Sequence, residues 1–180
     1  MLVIDNFLGG DSFVAGNQGD EVGDFNGGRW GWGQKDKDGY FGDGNIDVVQ
    51  VTKFNGTACF SFSVNSGDWG GANAGRLRTA SPWNLTQFNE ISFKYYTTTA
   101  NQKATFGLQS GGGAMNANWN RTVTVNFTTT NAWTEVTLAK SQFTGTGTWH
   151  NITGWRFFVG GLGFPNHGGA TILISNIVAK

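Results

Sequence analysis

The chain has 180 residues, of which 38% are hydrophobic, 29 are glycine and 2 are proline. This length and apolar content suit a folded domain with a buried core and exclude a disordered tail. The glycines follow no Gly-X-Y period, which excludes collagen. The formal net charge is zero, so the chain is a poor binder of nucleic acid. No apolar run approaches the roughly 20 residues of a membrane-spanning helix, and we expect no membrane partner.

Acidic residues are concentrated near the start of the chain. Residues 1–47 contain nine of the twelve acidic residues but three of the twelve basic residues. Within this region, residues 9–44 show no periodic pattern. Irregular segments of this length inside a compact domain are usually functional or ordered by something bound to them. We therefore expect a binding or metal site in this segment.

Short segments of alternating apolar and polar residues recur along the chain, as in half-buried β-strands. In residues 57–64, for example, Phe60 and Phe62 share one face and Ser61 and Ser63 share the other. The segments with this pattern are residues 2–7, 46–54, 57–64, 90–96, 103–109, 122–127, 155–159 and 171–178. Apart from one short turn at residues 139–143, we expect no helix. Without a linker or repeat, this pattern predicts one all-β domain, residues 1–180, built as a sandwich or barrel.

Several segments, in chain order, resemble the jelly-roll carbohydrate-binding modules attached to bacterial polysaccharide-degrading enzymes. They are Val-Ile-Asp-Asn-Phe at residues 3–7, the segment 83–93 that begins Trp-Asn-Leu-Thr, the segment 133–143 that begins Trp-Thr-Glu-Val, and residues 152–159 and 174–177. This resemblance spans most of the chain and implies a jelly-roll β-sandwich that binds sugar. The closing motif of these modules usually carries an aspartate, which in several families helps to hold calcium. Ser175 stands at that position here.

The eight tryptophans divide into two groups by their surroundings. Trp83, Trp133 and Trp155 open or begin apolar strands, so we predict that they lie in the core. The other five are flanked by glycine, asparagine and other small or polar residues, which provide few neighbours to bury an indole ring. These five tryptophans are candidates for a binding surface. Trp149 ranks last among them, together with one further aromatic candidate, Tyr40.

Trp30 and Trp32 are the best candidates for stacking against sugar rings. The C–H face of a pyranose stacks on indole with about 1 kcal/mol of stabilisation beyond area burial, by analogy with aromatic pairs. Two residues apart on an extended chain, these side chains project to the same side at roughly 6–7 Å. That spacing suits consecutive rings of a sugar chain. We predict that Trp69 and Trp119 contribute next.

Discrimination among sugar hydroxyls needs polar groups at defined positions. The predicted strands present Tyr96, Gln109, Asn126 and Arg156 opposite their apolar residues. We predict that these side chains line a cleft beside the tryptophans. The expected ligand is a neutral plant-type polysaccharide, such as a β-glucan, a xyloglucan or a mannan.

Residues 36–47 alternate oxygen-bearing side chains with glycines, a pattern that suits calcium and its six to eight oxygen ligands. The spacing does not fit an EF-hand, because the sixth position from Asp36 is Phe41 rather than glycine. We predict a structural calcium ion held by Asp36, Asp38 and Asp43, or one bound by Asp5 near the termini. The alternative is a solvated, turn-rich loop.

Residues for catalysis are sparse. Glycoside hydrolysis needs two carboxylates about 5–9.5 Å apart, and nothing in the sequence pairs Asp68 with Glu135. His150 and His167 lack the spacing of a metal or triad motif. We therefore predict a non-catalytic module. The alternatives are a small jelly-roll glycoside hydrolase or polysaccharide lyase, and an adhesion domain that binds another protein.

The single cysteine, Cys59, cannot form an internal disulfide and does not identify the compartment. No signal peptide is recognisable in the first residues. Either the protein is intracellular or it is a module of a larger secreted chain. We favour the second and expect an extracellular location, with a catalytic domain in the same parent chain.

Overall fold

The structure is a computed structural model that describes residues 1–8, 34–35, 38–44, 46–64, 72–78, 80–111, 119–159 and 170–180. These residues form strands and one 3₁₀ turn, Lys140–Gln142. The strands are Leu2–Asp5 (β1), Gln34–Lys35 (β2), Tyr40–Gly44 (β3), Ile46–Phe54 (β4), Thr57–Val64 (β5), Ala72–Leu77 (β6), Glu90–Thr97 (β7), Gln102–Ser110 (β8), Arg121–Phe127 (β9), Thr134–Ala139 (β10), Ile152–Val159 (β11) and Thr171–Ala179 (β12). No helix in the described ranges is long and apolar enough to span a membrane.

The strands form two antiparallel sheets. The first sheet has the order β10-β7-β12-β5-β4, with β1 also paired to β12. The second sheet has the order β2-β3-β6-β11-β8-β9. Because most neighbours in space are not neighbours in sequence, the chain crosses repeatedly between the sheets. The predicted all-β sandwich is confirmed.

Aromatic rings from both sheets fill the space between them. Phe60 of the first sheet packs edge-on against Trp155 of the second, with ring centroids 5.2 Å apart. Phe93 and Phe106 meet across the same interface at 5.4 Å. Trp83 is also buried. The prediction that Trp83 and Trp155 belong to the core is confirmed.

The alternating segments correspond closely to observed strands. β4 and β5 have the predicted bounds, and the turn between them places Asn55 and Gly56 at φ 49° and 78°. Positive φ at both positions is typical of the type I′ turn, whose twist matches that of the paired strands. The turn therefore sets the register of this hairpin.

Strands β2, β3 and β6 are not predicted by alternation. β3, Tyr-Phe-Gly-Asp-Gly, lies in the stretch that we expect to be irregular, and β6 begins Ala-Asn-Ala-Gly. Glycine and alanine provide little apolar contrast, so the period of two is not visible in either strand. Residues 34–35 and 40–44 of the stretch that we expect to be irregular therefore form strands.

One buried carboxylate connects the two sheets. Asp5 ends β1, and its Oδ1 accepts hydrogen bonds from the Tyr40 hydroxyl (2.8 Å) and from the Phe7 backbone N–H (3.2 Å). Its Oδ2 accepts hydrogen bonds from Arg76 Nη1 (3.0 Å) and Trp155 Nε1 (3.2 Å). Burial lowers the pKa of Arg76, but attraction to Asp5 and other neighbours raises that pKa above its ordinary value overall. Asp5 and Arg76 therefore form an ion pair at 3.0 Å, with the carboxylate buried and the guanidinium partly exposed.

Replacement of Asp5 by alanine should destabilise the fold strongly. The Asp5→Ala variant leaves Arg76 half-buried without its carboxylate and removes an acceptor from Tyr40 and Trp155. Breaking a buried ion pair from one side costs about 3–5 kcal/mol, which urea denaturation would measure. The control is Glu135→Ala, which removes an exposed ion pair with Lys180 (2.8 Å). Exposed pairs contribute little, so equal effects of both variants would contradict this role of Asp5.

Candidate functional site

The outer face of the second sheet consists of the side chains that point away from the core. Strand register places Phe41, Gly75, Arg156, Gly107 and Thr122 in one row across β3, β6, β11, β8 and β9. A glycine therefore flanks Arg156 on each side. A β-carbon at Gly107 would lie 3.4 Å from Arg156 Cγ and 3.5 Å from its Nε. Because Gly75 and Gly107 have no side chains, the Arg156 side chain can lie flat against the sheet.

The Arg156 guanidinium is held by three neighbours. Its Nη1 donates to Asn73 Oδ1 at 2.8 Å. Its central carbon lies 4.7 Å from the ring centroid of Trp119 and 5.7 Å from that of Phe158. Cation–π contacts of this kind contribute about 0.5–1 kcal/mol at exposed sites and more where water is excluded. The cation is therefore positioned before any ligand arrives.

Trp119 lies on the sheet over Gly154. The indole is half-buried and packs against Phe41, with ring centroids 6.0 Å apart, and against Leu77. A β-carbon at Gly154 would lie 3.2 Å from Trp119 Cη2 and 2.8 Å from Leu77 Cδ2. Glycine at this position therefore provides the space that the indole occupies.

Two further strands extend this face with polar side chains. Lys103 and Asn126 are directly opposite each other on β8 and β9, and Thr105 and Thr124 form the next outward pair. Asn126 and Thr124 are exposed. Hydroxyl and amide groups can both donate and accept hydrogen bonds. The face thus combines aromatic rings, one held cation and exposed neutral polar groups.

The structure brings together part of the predicted site. Trp119, Asn126 and Arg156 share the outer face of the second sheet. Gln109 lies on the same face by register but its side chain is fully buried, and its Oε1 accepts a hydrogen bond from Thr153 Oγ1 at 2.8 Å. This hydrogen bond ties Gln109 to the irregular part of β11, and a contact of Gln109 with a ligand stays a prediction.

The predicted position of Tyr96 in this cleft is wrong. Tyr96 points outward from the first sheet, on the opposite side of the sandwich, and its ring contacts Phe54 at 4.7 Å and Trp133 at 5.8 Å. Alternation correctly predicts that Tyr96 points away from the core but cannot show which sheet contains β7. Trp133 is half-buried in this outer cluster, so its predicted core position is also wrong.

The two lowest-ranked aromatic candidates have structural roles. Tyr40 is buried in the core beside Asp5. Trp149 packs edge-on against Phe143 at 5.5 Å. Arg121 and Lys140 lie over the Trp149 ring at 5.1 and 4.8 Å, so its surface is already in use. Trp30, Trp32 and Trp69 lie outside the described residues and stay predictions.

The predicted calcium ligands are only partly described. The carboxylate of Asp5 already accepts four hydrogen bonds from protein donors, which gives it a role other than metal binding. The backbone oxygen of Asp38 accepts from Arg76 Nε at 3.0 Å. Asp36 and the side chain of Asp43 lie outside the described residues. Within the described part of the chain, no three His, Cys, Asp or Glu side chains form a group that could hold a metal. Calcium binding by the acidic segment stays a prediction.

Several residues of this face are missed by the sequence analysis, among them Phe158, Asn73 and Gly154. Phe158 is two positions after Arg156 on β11, so the period of two that identifies Arg156 also places Phe158 on the same face. Asn73 belongs to β6, which alternation does not predict. Gly154 has no side chain, and its role is visible only once Trp119 is placed over it.

The order of strands in these two sheets is that of a jelly roll, the fold of many carbohydrate-binding modules. The family 11 module from Clostridium thermocellum, solved with a β-1,3-1,4-mixed-linked tetrasaccharide, is similar over 95% of this chain and 96% of its own, with a TM-score of 0.53 and 13% identity. The family 30 module of a cellulosomal cellulase from the same organism is similar over 84% and 91%, with a TM-score of 0.57 and 14% identity. The predicted resemblance to such modules and the jelly-roll fold are confirmed.

Other comparisons set the limits of this likeness. No protein-family model and no curated protein matches the chain. An arabinose-bound α-L-arabinofuranosidase is similar over 77% of this chain, with a TM-score of 0.55 and 17% identity, but over only 22% of the enzyme. The same fold therefore occurs both as a binding module and as part of larger enzymes.

The glycine under Trp119 should be less replaceable than the glycine beside Arg156. In Gly154→Ala the new methyl would lie 2.8 Å from both the Arg76 backbone oxygen and Leu77 Cδ2, so neighbouring atoms must move. Such overpacking costs about 1–3 kcal/mol. In the control, Gly107→Ala, the nearest contact is 3.4 Å. Urea denaturation of both variants measures the difference, and equal stability would show that Trp119 does not rest on this glycine.

Proposed function

We propose that the outer face of the second sheet binds a neutral polysaccharide without cleaving it. The observation that carries this proposal is the line of groups along β11: the Trp119 ring over Gly154, then Arg156, then Phe158. Outward positions 154 to 158 span roughly 13 Å of strand. That length exceeds one sugar ring, so the face suits a chain rather than a monosaccharide.

The chemistry of this face matches that of a sugar. Aromatic rings stack on the apolar C–H faces of a pyranose. The Arg156 guanidinium offers donors to ring or hydroxyl oxygens, and Asn126 and Thr124 offer both donors and acceptors. Held side chains lose little conformational entropy on binding. An affinity of roughly −4 to −8 kcal/mol, about millimolar to micromolar, is expected.

A mixed-linked β-glucan is the first ligand to test, with xyloglucan and mannan next. A family 11 module with this fold has been solved with a β-1,3-1,4-mixed-linked tetrasaccharide. The family 30 module belongs to a cellulosomal cellulase. We infer by analogy that this chain serves as an extracellular module that keeps a catalytic partner domain near its substrate. Linkage of this kind raises the effective concentration of the enzyme on the polysaccharide.

The described position of Glu135 argues against this residue as a general acid. Glu135 is exposed on β10 of the first sheet, away from the proposed face, and accepts a hydrogen bond from Lys180 Nζ at 2.8 Å. This hydrogen bond and the Lys180 charge lower the pKa of Glu135. A general acid for glycoside hydrolysis needs a raised pKa instead. Asp68, the other carboxylate considered, lies outside the described residues.

Substitutions on the outer face of the second sheet should weaken polysaccharide binding. Affinity electrophoresis in gels with β-glucan, xyloglucan or mannan would compare the wild type with Trp119→Ala and Arg156→Ala. Loss of a central anchor should weaken binding roughly 10- to 30-fold. The matched control is Arg78→Ala, because Arg78 also lies over a tryptophan, Trp83 at 5.2 Å, but beyond the end of β6.

The outcome separates three possibilities. Unchanged mobility of the wild type in every gel would show that the protein binds none of the three polysaccharides. Equal retardation of the wild type, Trp119→Ala and Arg156→Ala would show that the site lies elsewhere. Trp30→Ala and Trp32→Ala, run beside them, test whether the predicted tryptophan pair contributes to the same site.

Incubation with the same polysaccharides should release no reducing ends. A standard reducing-sugar assay on the purified chain measures this directly, with a known glucanase as the positive control. Sustained release that depends on the amount of protein would favour the alternative of a small jelly-roll hydrolase.

A further inference from the structure

The outer face of the first sheet carries an aromatic cluster that the core does not use. Phe54, Tyr96 and Trp133 contact one another, with ring centroids 4.7 to 6.5 Å apart, and all three are half-buried. Aromatic groups gathered on an outward face often mark a binding site. This cluster lies on the opposite side of the sandwich from Arg156 and Trp119.

A cavity of about 310 Å³ opens beside two of these rings. Its volume is at the lower end of the roughly 300–1,000 Å³ that is usual for small-molecule sites. Phe54, Tyr96 and Leu173 supply its apolar wall. The remaining lining residues are short polar side chains and one lysine, namely Gln50, Thr52, Lys53, Ser61, Thr98 and Thr171. The site thus pairs an aromatic wall with neutral hydrogen-bonding groups.

Ser61 adds a hydroxyl to the lining of this cavity. The residue is only 4% exposed, and Gln50 and Tyr96 are half-buried. The serine and tyrosine hydroxyls and the glutamine amide can each donate and accept hydrogen bonds. A ligand with several hydroxyls would find partners among these three groups.

We propose that this cavity is a second binding site, which takes one neutral sugar residue against the Phe54 and Tyr96 rings. Hydroxyl and amide groups around an aromatic wall match the hydroxyls and the C–H face of a pyranose. None of the lining residues is acidic, and Lys53 is exposed at the rim. A neutral ligand therefore fits without burying an unpaired charge. The inference goes beyond the proposed function, because it concerns the other sheet and does not require binding there.

The test uses methyl glycosides of glucose, galactose, mannose and xylose as probes. Two-dimensional ¹H–¹⁵N NMR would follow the backbone amides of Ser61, Tyr96 and Leu173 during titration to roughly tens of millimolar, above the millimolar affinity expected of a single sugar. We expect saturable shifts at these amides with at least one probe. Tyr96→Phe and Gln50→Ala each remove one hydrogen-bonding group and should weaken that binding roughly 2- to 10-fold.

Matched controls isolate the site. Tyr95→Phe removes a hydroxyl from the next residue, which points to the other side of β7 and receives the Thr129 N–H at 3.0 Å. Gln87→Ala removes an exposed amide from a turn outside both faces. Both variants should bind the probe as the wild type does. Equal shifts with glycerol at the same concentration would show a non-specific polyol effect and overturn the proposal.

The two proposals fail separately. Absence of saturable shifts with every probe would overturn the second site, whatever the result in polysaccharide gels. Trp119→Ala should leave the shifts at Ser61 intact, and their loss in that variant would also overturn it. Shifts at Ser61 without retardation in any gel would keep the second site and refute the β11 face.

Discussion

The hydrogen bonds to Asp5 connect the core of the sandwich with its outer face. Asp5 belongs to the first sheet through β1, whereas Tyr40, Arg76 and Trp155 come from three adjacent strands of the second sheet, β3, β6 and β11. Successive side chains on a strand point to opposite sides. Each of these three inward donors is therefore followed directly by an outward residue.

These following residues are Phe41, Leu77 and Arg156, which surround the Trp119 ring. One buried carboxylate inside the sandwich thus bonds to the three strands that hold aromatic and cationic groups outside it. The four hydrogen bonds to Asp5 offset the desolvation cost of burying its carboxylate, because an unpaired buried charge is strongly unfavourable. Strands β3, β6 and β11 thus supply both the donors to the buried carboxylate and the outward residues around Trp119.

Local sequence pattern predicts most of this fold but not the relation between its parts. Alternation gives β4 and β5 their correct bounds, because large apolar side chains contrast with polar ones on those strands. It fails for β3 and β6, where glycine and alanine provide no contrast. It also assigns Tyr96 an outward direction but the wrong sheet, because sheet membership depends on pairing of β7 with β10 and β12, which are distant in sequence. The position of Trp119 depends on Gly154, a residue with no pattern of its own.

The pairing of β1 with β12 determines where the ends of the chain lie. Leu2 is opposite Ala179, so the first strand begins where the last strand ends, at one end of the central strand of the first sheet. Adjacent termini allow a domain to be inserted into a loop of a host protein or to be circularly permuted. A short linker from Lys180 to Met1, with new ends opened at the Asn55–Gly56 turn, would leave all the described strands uncut. Anything attached at either terminus would also leave from the same end of this sheet.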